Sequence, residues 1–468
     1  MKLNIKQVFY IGLAFFVISM FGSLYDAIIG KMAINSYGLG HFWSGVLLAL
    51  DNILALFLIP LFGSLSDKTK TKHGRRTPYI FWGIILSAVL IPAIAMFDAN
   101  QQKKVQEAEI PIVETIEETE DGKYLFNGEV YEKEKDALKA QQALVFEVTK
   151  GNMTNFICFL LVIFLVLTVM AAYRSPAVAL MPDVTLKPLR SKANAIINLM
   201  GSIGGALFLV MSHFLARDYK SYVTLFFIVS GIMIACLLIF LWKVKEPLLV
   251  EKVNKEKQLY GFAEEEEGET PGEEAPMPAD VRRSFFLILA SIVFWFMAYN
   301  AAISKFSVYA QQVLDLHFAM ALLIAHGVAM IAFLPIGILS SKIGRKKMII
   351  IGIIILAVAF TLGIIANKST KFLIYVTLSL AGIGWATINV NSYPMIVEMS
   401  KGSNVGKYTG FYYTASMSAQ IVTPIISGYL MENINLRTLF PYSLFFTLLA
   451  LVTMMFVKHG DAKKIEQA

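Results

Sequence analysis

The 468 residues are 56% apolar and only 16% charged, with a mean hydropathy of +0.62, whereas soluble domains run near half apolar and a quarter charged. Too few charges remain to coat two or three soluble domains, so the soluble classes are excluded. The net charge of +7 lies mostly in short loops between apolar runs, where it sets topology and does not call for nucleic acid.

Apolar runs near 20 residues, long enough to cross a hydrocarbon core, recur throughout. Twelve membrane helices are predicted at 8–29, 42–65, 77–97, 153–182, 193–215, 221–243, 284–312, 317–340, 347–366, 371–396, 408–431 and 437–457. The fold class is therefore an all-α polytopic membrane protein. The first run is too long for a signal peptide and lacks an A-x-A-like cleavage site, so it is expected to be retained. An N-terminal six-helix bundle (1–243) and a C-terminal one (283–468) are joined by a polar linker, 244–282. Loops on one side carry 14 bases against 6 on the other, which puts the first side and both termini in the cytoplasm. Cys158 and Cys236 lie inside apolar runs, with no partner at metal-ligand spacing.

Two segments interrupt the pattern. Residues 98–152, on the outer side, hold 13 acids and 7 bases. Within them Asn127-Gly128 stands between alternating apolar residues, a strong hairpin signal, and Glu132 to Phe146 has helical composition. A small hairpin-plus-helix cap over the outer mouth is expected; a mobile acidic loop fits the composition equally. The linker, with Glu264 to Glu267 followed by Pro271, Pro276 and Pro278, reads as a flexible tether.

The halves repeat one another. Gly63 and Asp67, then Gly74, Arg75 and Arg76, follow span two; Gly337 and Ser341, then Gly344, Arg345 and Lys346, follow span eight. Asp183 precedes Lys192 by nine residues after span four, and Glu398 precedes Lys407 by nine after span ten. Parallel repeats of six helices are a known carrier architecture, with substrate near the midplane.

The Gly63/Asp67/Gly74/Arg75/Arg76 constellation resembles the loop signature of the major facilitator superfamily, and the resemblance covers the whole chain. The long spacer up to Arg76-Thr77-Pro78-Tyr79-Ile80 is similar to that of sucrose–proton symporters and the wider glycoside–pentoside–hexuronide:cation symporter group. So is the stretch Tyr173-Arg174-Ser175-Pro176 to Asp183, followed by Arg190 and Ala193-Asn194-Ala195. The resemblance implies a monomer whose two bundles rock about a central site, with Asp67 meeting the start of span eleven and Arg174 facing the cavity to bind substrate. One departure stands out: the plant porters carry an acid about three turns before this arginine, where the present chain has Ile163.

The residues themselves permit the following chemistry. Gly63 allows close helix approach. Asp67 can latch a facing helix N-terminus or an arginine, while Arg75 and Arg76 either join that latch or only fix topology. With Gly74, Asp183, Arg190, Gly344, Arg345 and Glu398 they make up a candidate cytoplasmic gate. Charges inside a bilayer are costly and mark function by default. Asp51, about 13 Å into span two at helical rise, is either a proton-coupling carboxyl or a hydrogen-bonded structural acid. Asp26 is nearer the outer end. A buried Arg174 would need Asp51 or Asp26 as its acid. Sugar hydroxyls stripped of water must be re-paired. Asn194 and Asn198, Trp385 and Asn389, and the amides Asn300, Gln311 and Gln420 offer donors, acceptors and a flat apolar face.

The function expected is secondary transport: symport of a small glycoside, such as a disaccharide, with H⁺ or possible Na⁺ as the coupling ion and no other cofactor. Alternatives are an exporter of amphipathic compounds or a transport-dead sugar sensor. No nucleotide-binding Gly loop, H-E-x-x-H or G-x-S-x-G motif supports an enzyme. The sequons at Asn152 and Asn367 matter only in a eukaryotic secretory pathway, and the composition points instead to a bacterial plasma membrane.

Overall fold

A computed structural model describes the chain except residues 1–2, 111–116, 119–123, 133, 216–221, 260–276, 315, 317, 400–404 and 462–468. The N-terminal half holds α1 (Ile5–Asn35, with a π-helical turn at Tyr25–Ile29), α2 (His41–Lys68) and α3 (Thr77–Glu107). There follow β1 (Glu117–Glu118), β2 (Tyr124–Phe126), β3 (Glu129–Tyr131) and α4 (Glu134–Gly151). Helices α5 (Met153–Asp183), α6 (Arg190–Leu215) and α7 (Val223–Lys243) complete this half, and α8 (Glu246–Leu259) follows. The C-terminal half contains α9 (Ala279–Ser304), α10 (Phe306–Leu314), α11 (Phe318–Ile343), α12 (Arg345–Ile365), α13 (Leu373–Glu398), α14 (Val405–Asn433) and α15 (Leu439–Met455).

Among the described residues, eleven helices are long and apolar enough to cross a membrane. Helix α14 matches them in length at 29 residues but is rich in Tyr, Ser, Thr and Gly, because much of it faces protein rather than lipid. The outer surface is apolar: Phe57, Val89, Ile331 and Ile425 are each more than two-thirds exposed, which suits only a lipid surround. Within the halves α1 packs on α6, α3 on α5, α12 on α13 and α9 on α15. Between the halves α2 packs on α14 and α6 on α11, a pseudo-symmetric pair of seams.

Three segments differ from the sequence reading. Span seven breaks at Lys305, so its last residues form the separate helix α10. Helix α3 continues ten residues past its predicted end at residue 97. The linker opens with a helix rather than a tether: α8 buries Glu246 and Val253, and Val253 packs with Leu186 and Leu189. Acid–base pairs at i, i+4, Glu251 with Lys255 and Lys252 with Glu256, line its exposed face, supplying local support that a mean composition hides.

At the end opposite the signature loop, β2 and β3 form a hairpin with Phe126 facing Glu129. Its turn uses Asn127 and Gly128, both at positive φ, as a two-residue hairpin requires. Helix α4 packs against the ends of α1, α3 and α5. Thr149 Oγ1 donates to the Tyr37 carbonyl (2.9 Å) and accepts from Gln101 Nε2 (3.0 Å).

Candidate functional site

Helices α5, α6, α13 and α14 converge on a cavity of about 220 Å³ near the middle of the spans. Six predicted residues line it: Arg174, Asn194, Asn198, Trp385, Asn389 and Gln420. Trp385 lies flat on Tyr299, with centroids 4.2 Å apart and planes at 7°, and meets Phe296 edge-on at 4.9 Å. This stack holds the indole in one orientation. Asn194 Nδ2 donates across the halves to the carbonyls of Asn389 (3.1 Å) and Val390 (2.9 Å). Asn198 Nδ2 donates to the Asn194 carbonyl (2.9 Å), and Gln420 Nε2 to the Ser416 carbonyl (3.4 Å). Both halves therefore build the cavity, and its wall is amide on one part and aromatic on another.

Arg174 is the cavity's cation. Its guanidinium lies 5.1 Å from the centroid of the Tyr413 ring, within cation–π range. Its Nη1 is 4.0 Å from Asp51 Oδ2, and both side chains are about 30% exposed. The buried Nε has no hydrogen-bond partner among the described residues. Asp26 lies exposed on the π-helical turn of α1, within electrostatic range of Asp51 and Arg174. Turns of this kind are frequent at functional sites. Asn300 Nδ2 is buried without a partner among the described residues and lies off the cavity wall. Ile163, where a resembling porter would have an acid, is buried and apolar. The side chain of Gln311 lies outside the described residues.

Toward the signature-loop end, buried ion pairs bind the halves together. Asp67 accepts hydrogen bonds from the Gly406 and Lys407 backbone N–H groups, both 2.9 Å, at the N-terminus of α14. Helix-end N–H groups are otherwise unsatisfied, and the helix dipole favours the carboxylate there. Fully buried Arg76 bridges Asp67 (2.5 Å) and Asp183 (2.8 Å) and contacts the Ser66 hydroxyl. Arg75 donates to the same Asp183 (2.7 Å). These two arginines thus do more than fix topology. The second half repeats the arrangement: Arg345 donates to Glu398 (2.8 Å) and crosses to the Ser191 hydroxyl (3.1 Å) and the Lys187 carbonyl. Arg190 reaches Glu398 from the other half (3.4 Å). Ser341, standing where the first copy has Asp67, donates among the described residues only to the carbonyl of Gly337 on its own helix (3.1 Å), so the two seams are latched differently.

The close approach of α2 and α14 also needs two glycines. A Cβ on Gly63 would stand 2.2 Å from the Gly406 oxygen, and one on Gly406 the same distance from the Gly63 oxygen. Overpacking typically costs about 1–3 kcal/mol, and 1.4 kcal/mol is a factor of ten in an equilibrium. Gly63→Val should shift spin labels placed on α2 and α14 at this end to longer separations, with the closed population reduced roughly tenfold or more. An unchanged distance distribution would show that the contact does not govern closure.

Sequence reading missed several residues of this site. Tyr412 and Ser416 stand eight and four residues before the predicted Gln420 on one face of α14, and both line the cavity with it, as do Tyr393 and Tyr413. That i, i+4 spacing in the least apolar span was a usable signal. Glu246 was also missed. It accepts from the backbone N–H of Arg75 (2.7 Å), Arg76 (3.0 Å) and Thr77 (2.7 Å) and from the Thr77 hydroxyl (2.7 Å), capping α3. Asp461 does the same for α12 through the Arg345 N–H (2.7 Å). Gly74 and Gly344, both near φ +100°, turn the chain into those caps.

Two crossing seams between six-helix halves, with a polar cavity between them, define a membrane carrier fold. The Major Facilitator Superfamily model matches residues 142–339 and 327–468, and the chain belongs to that superfamily of transporters. An uncharacterized MFS-type transporter of Methanocaldococcus jannaschii is 28% identical over 152 residues, which are 31% of this chain and 38% of that protein. The chain thus matches about two-fifths of that curated relative's length. Among solved structures, a bacterial homologue of the iron transporter ferroportin in an outward-facing state with soaked iron has a TM-score of 0.66 at 11% identity, covering 97% of this chain and 99% of that one. The proton:xylose symporter XylE bound to 6-bromo-6-deoxy-D-glucose has a TM-score of 0.63 at 14% identity (97% and 96% covered). FucP in the outward conformation has 0.61 at 12% (96% and 98%). At these identities the structures share the fold.

Proposed function

We propose that this chain is a symporter of a small glycoside, such as a disaccharide, coupled to H⁺ and resembling the glycoside–pentoside–hexuronide:cation group in its motifs. The observation that carries this reading is the cavity wall: the amides of Asn194, Asn198, Asn389 and Gln420 line one cavity together with the indole of Trp385 and the guanidinium of Arg174. Amides re-pair hydroxyls stripped of water, and an indole face suits the apolar side of a sugar ring. At about 220 Å³ the cavity lies below the usual ligand range of about 300–1,000 Å³. One sugar ring is the size that this volume suits.

Asp51 serves as the coupling acid. While ionised it holds Arg174 electrostatically; once protonated it releases the guanidinium to the sugar, and the loaded carrier reorients with Asp51 in its neutral form. Support comes from their 4.0 Å separation and from one fold neighbour being a proton:xylose symporter. With the basic end on the cytoplasmic side of a bacterial plasma membrane, the latched arrangement is the form closed to the inside. A greasy export pocket fits this wall less well, because the arginine and the amides would have to stay unpaired beside an apolar cargo.

Sugar binding to the purified protein tests the reading. Sucrose or maltose should raise the unfolding temperature of the native chain. Trp385→Ala should weaken binding about tenfold or more, on the scale of an aromatic contact with its buried area. Equal binding by the variant would remove the cavity from the account.

A further inference from the structure

A second cavity, of about 790 Å³, opens at the basic end between the signature loop, the start of α3 and the junction of α7 with α8. It lies apart from the sugar cavity and shares none of its lining. Lys72, His73 and Lys245 stand on its wall, all exposed, and Phe81, Trp82 and Leu241 line its apolar part. Trp82 is 59% exposed, and at the mouth Leu248 is 63% exposed. Cations beside a bare apolar groove, with an indole at the border, match one environment: the headgroup level of a bilayer, where Trp concentrates and basic side chains meet anionic lipid.

We propose that this cavity binds one anionic phospholipid. Its phosphate is held by Lys72 and Lys245, with His73 adjacent, and an acyl chain lies along Phe81, Trp82 and Leu241. Glu246 also lines the cavity. Its carboxylate is already taken up by the N–H groups of Arg75, Arg76 and Thr77 and by the Thr77 hydroxyl, so it opposes an incoming anion far less than a bare carboxylate would. The same contact gives the lipid its consequence. Glu246 caps the helix that begins at Arg76, and Arg76 bridges Asp67 and Asp183 in the inter-half latch. A lipid wedged against this junction favours the latched form.

Quenching of Trp82 tests the site in the full-length protein. In vesicles, brominated phosphatidylglycerol should quench tryptophan emission more than brominated phosphatidylcholine does, and the excess should vanish in Trp82→Phe. Lys72→Gln/Lys245→Gln should weaken the phosphatidylglycerol preference about 30-fold, from about a fivefold loss per lysine. Neither lysine contacts the latch or the sugar cavity, so the variant should fold, which its unfolding temperature would check. Inorganic phosphate at millimolar concentration should not displace the lipid; displacement would assign the site to a free anion and overturn the lipid. Equal quenching by the two lipids, or an undiminished preference in the double variant, would likewise overturn it.

Discussion

Asp51→Asn is expected to abolish sugar accumulation while leaving exchange of internal for external sugar within a few-fold of the native rate. The argument runs from position to coupling. Asp51 lies half-buried along α2, 4.0 Å from Arg174, whose guanidinium is the only one on the cavity wall among the described residues. A carboxyl there is costly to carry through reorientation while charged, and under the proposed coupling the carrier crosses only with Asp51 protonated. Asparagine is neutral at every pH and nearly the same shape, so it mimics the protonated acid permanently. The variant then reorients with or without a proton, and the gradient loses its grip on the sugar. With one proton per sugar, a gradient of one pH unit supports at most about a tenfold ratio, since one pK unit is 1.36 kcal/mol. The native protein should approach that ratio and the variant should stay at unity. Loss of exchange together with accumulation would instead assign Asp51 a binding or structural role.

The second large effect is structural. Arg76→Ala should lower the unfolding temperature of the purified protein by several degrees. Arg76 is fully buried and joins two buried acids, Asp67 and Asp183. Taking away one member of a buried charge set typically costs about 3–5 kcal/mol, because the remaining charges lose their compensation. Asp183 keeps Arg75, which points to the lower part of that range. Asp67 keeps, among the described residues, the two N–H groups at the start of α14. Arg76→Lys should recover a minority of the loss, since a single ammonium cannot span three partners in the plane a guanidinium does. A fall of less than about 1 °C would show that the network is solvated and weak, as exposed pairs are.

Much of this could be read before any coordinates, and the remainder was hidden for identifiable reasons. Length and hydropathy report burial in lipid directly, so the spans were legible. The signature loop was legible because its residue types repeat at equivalent helix ends, and the partner at the start of span eleven came from the family resemblance. The break at Lys305 carried no Gly or Pro to announce it. Glu246 was read as part of an acidic tether because its partners are backbone N–H groups some 170 positions away, which no side-chain pattern encodes. Asp461 escaped for the same reason. The tyrosines of α14 looked like ordinary span residues, since a sequence does not say which face of a helix meets lipid and which meets a cavity. Composition also understated α8, whose stability rests on paired charges and one buried valine rather than on mean apolarity.

The central claim is cation-coupled glycoside symport, and uptake of labelled sucrose and maltose into proteoliposomes tests it most directly. The account predicts accumulation of at least one of them above equilibrium under an inward proton gradient, collapsing when a protonophore is added. Flux of neither sugar, under an imposed pH gradient or an imposed Na⁺ gradient, by protein shown to be folded and inserted, would contradict it.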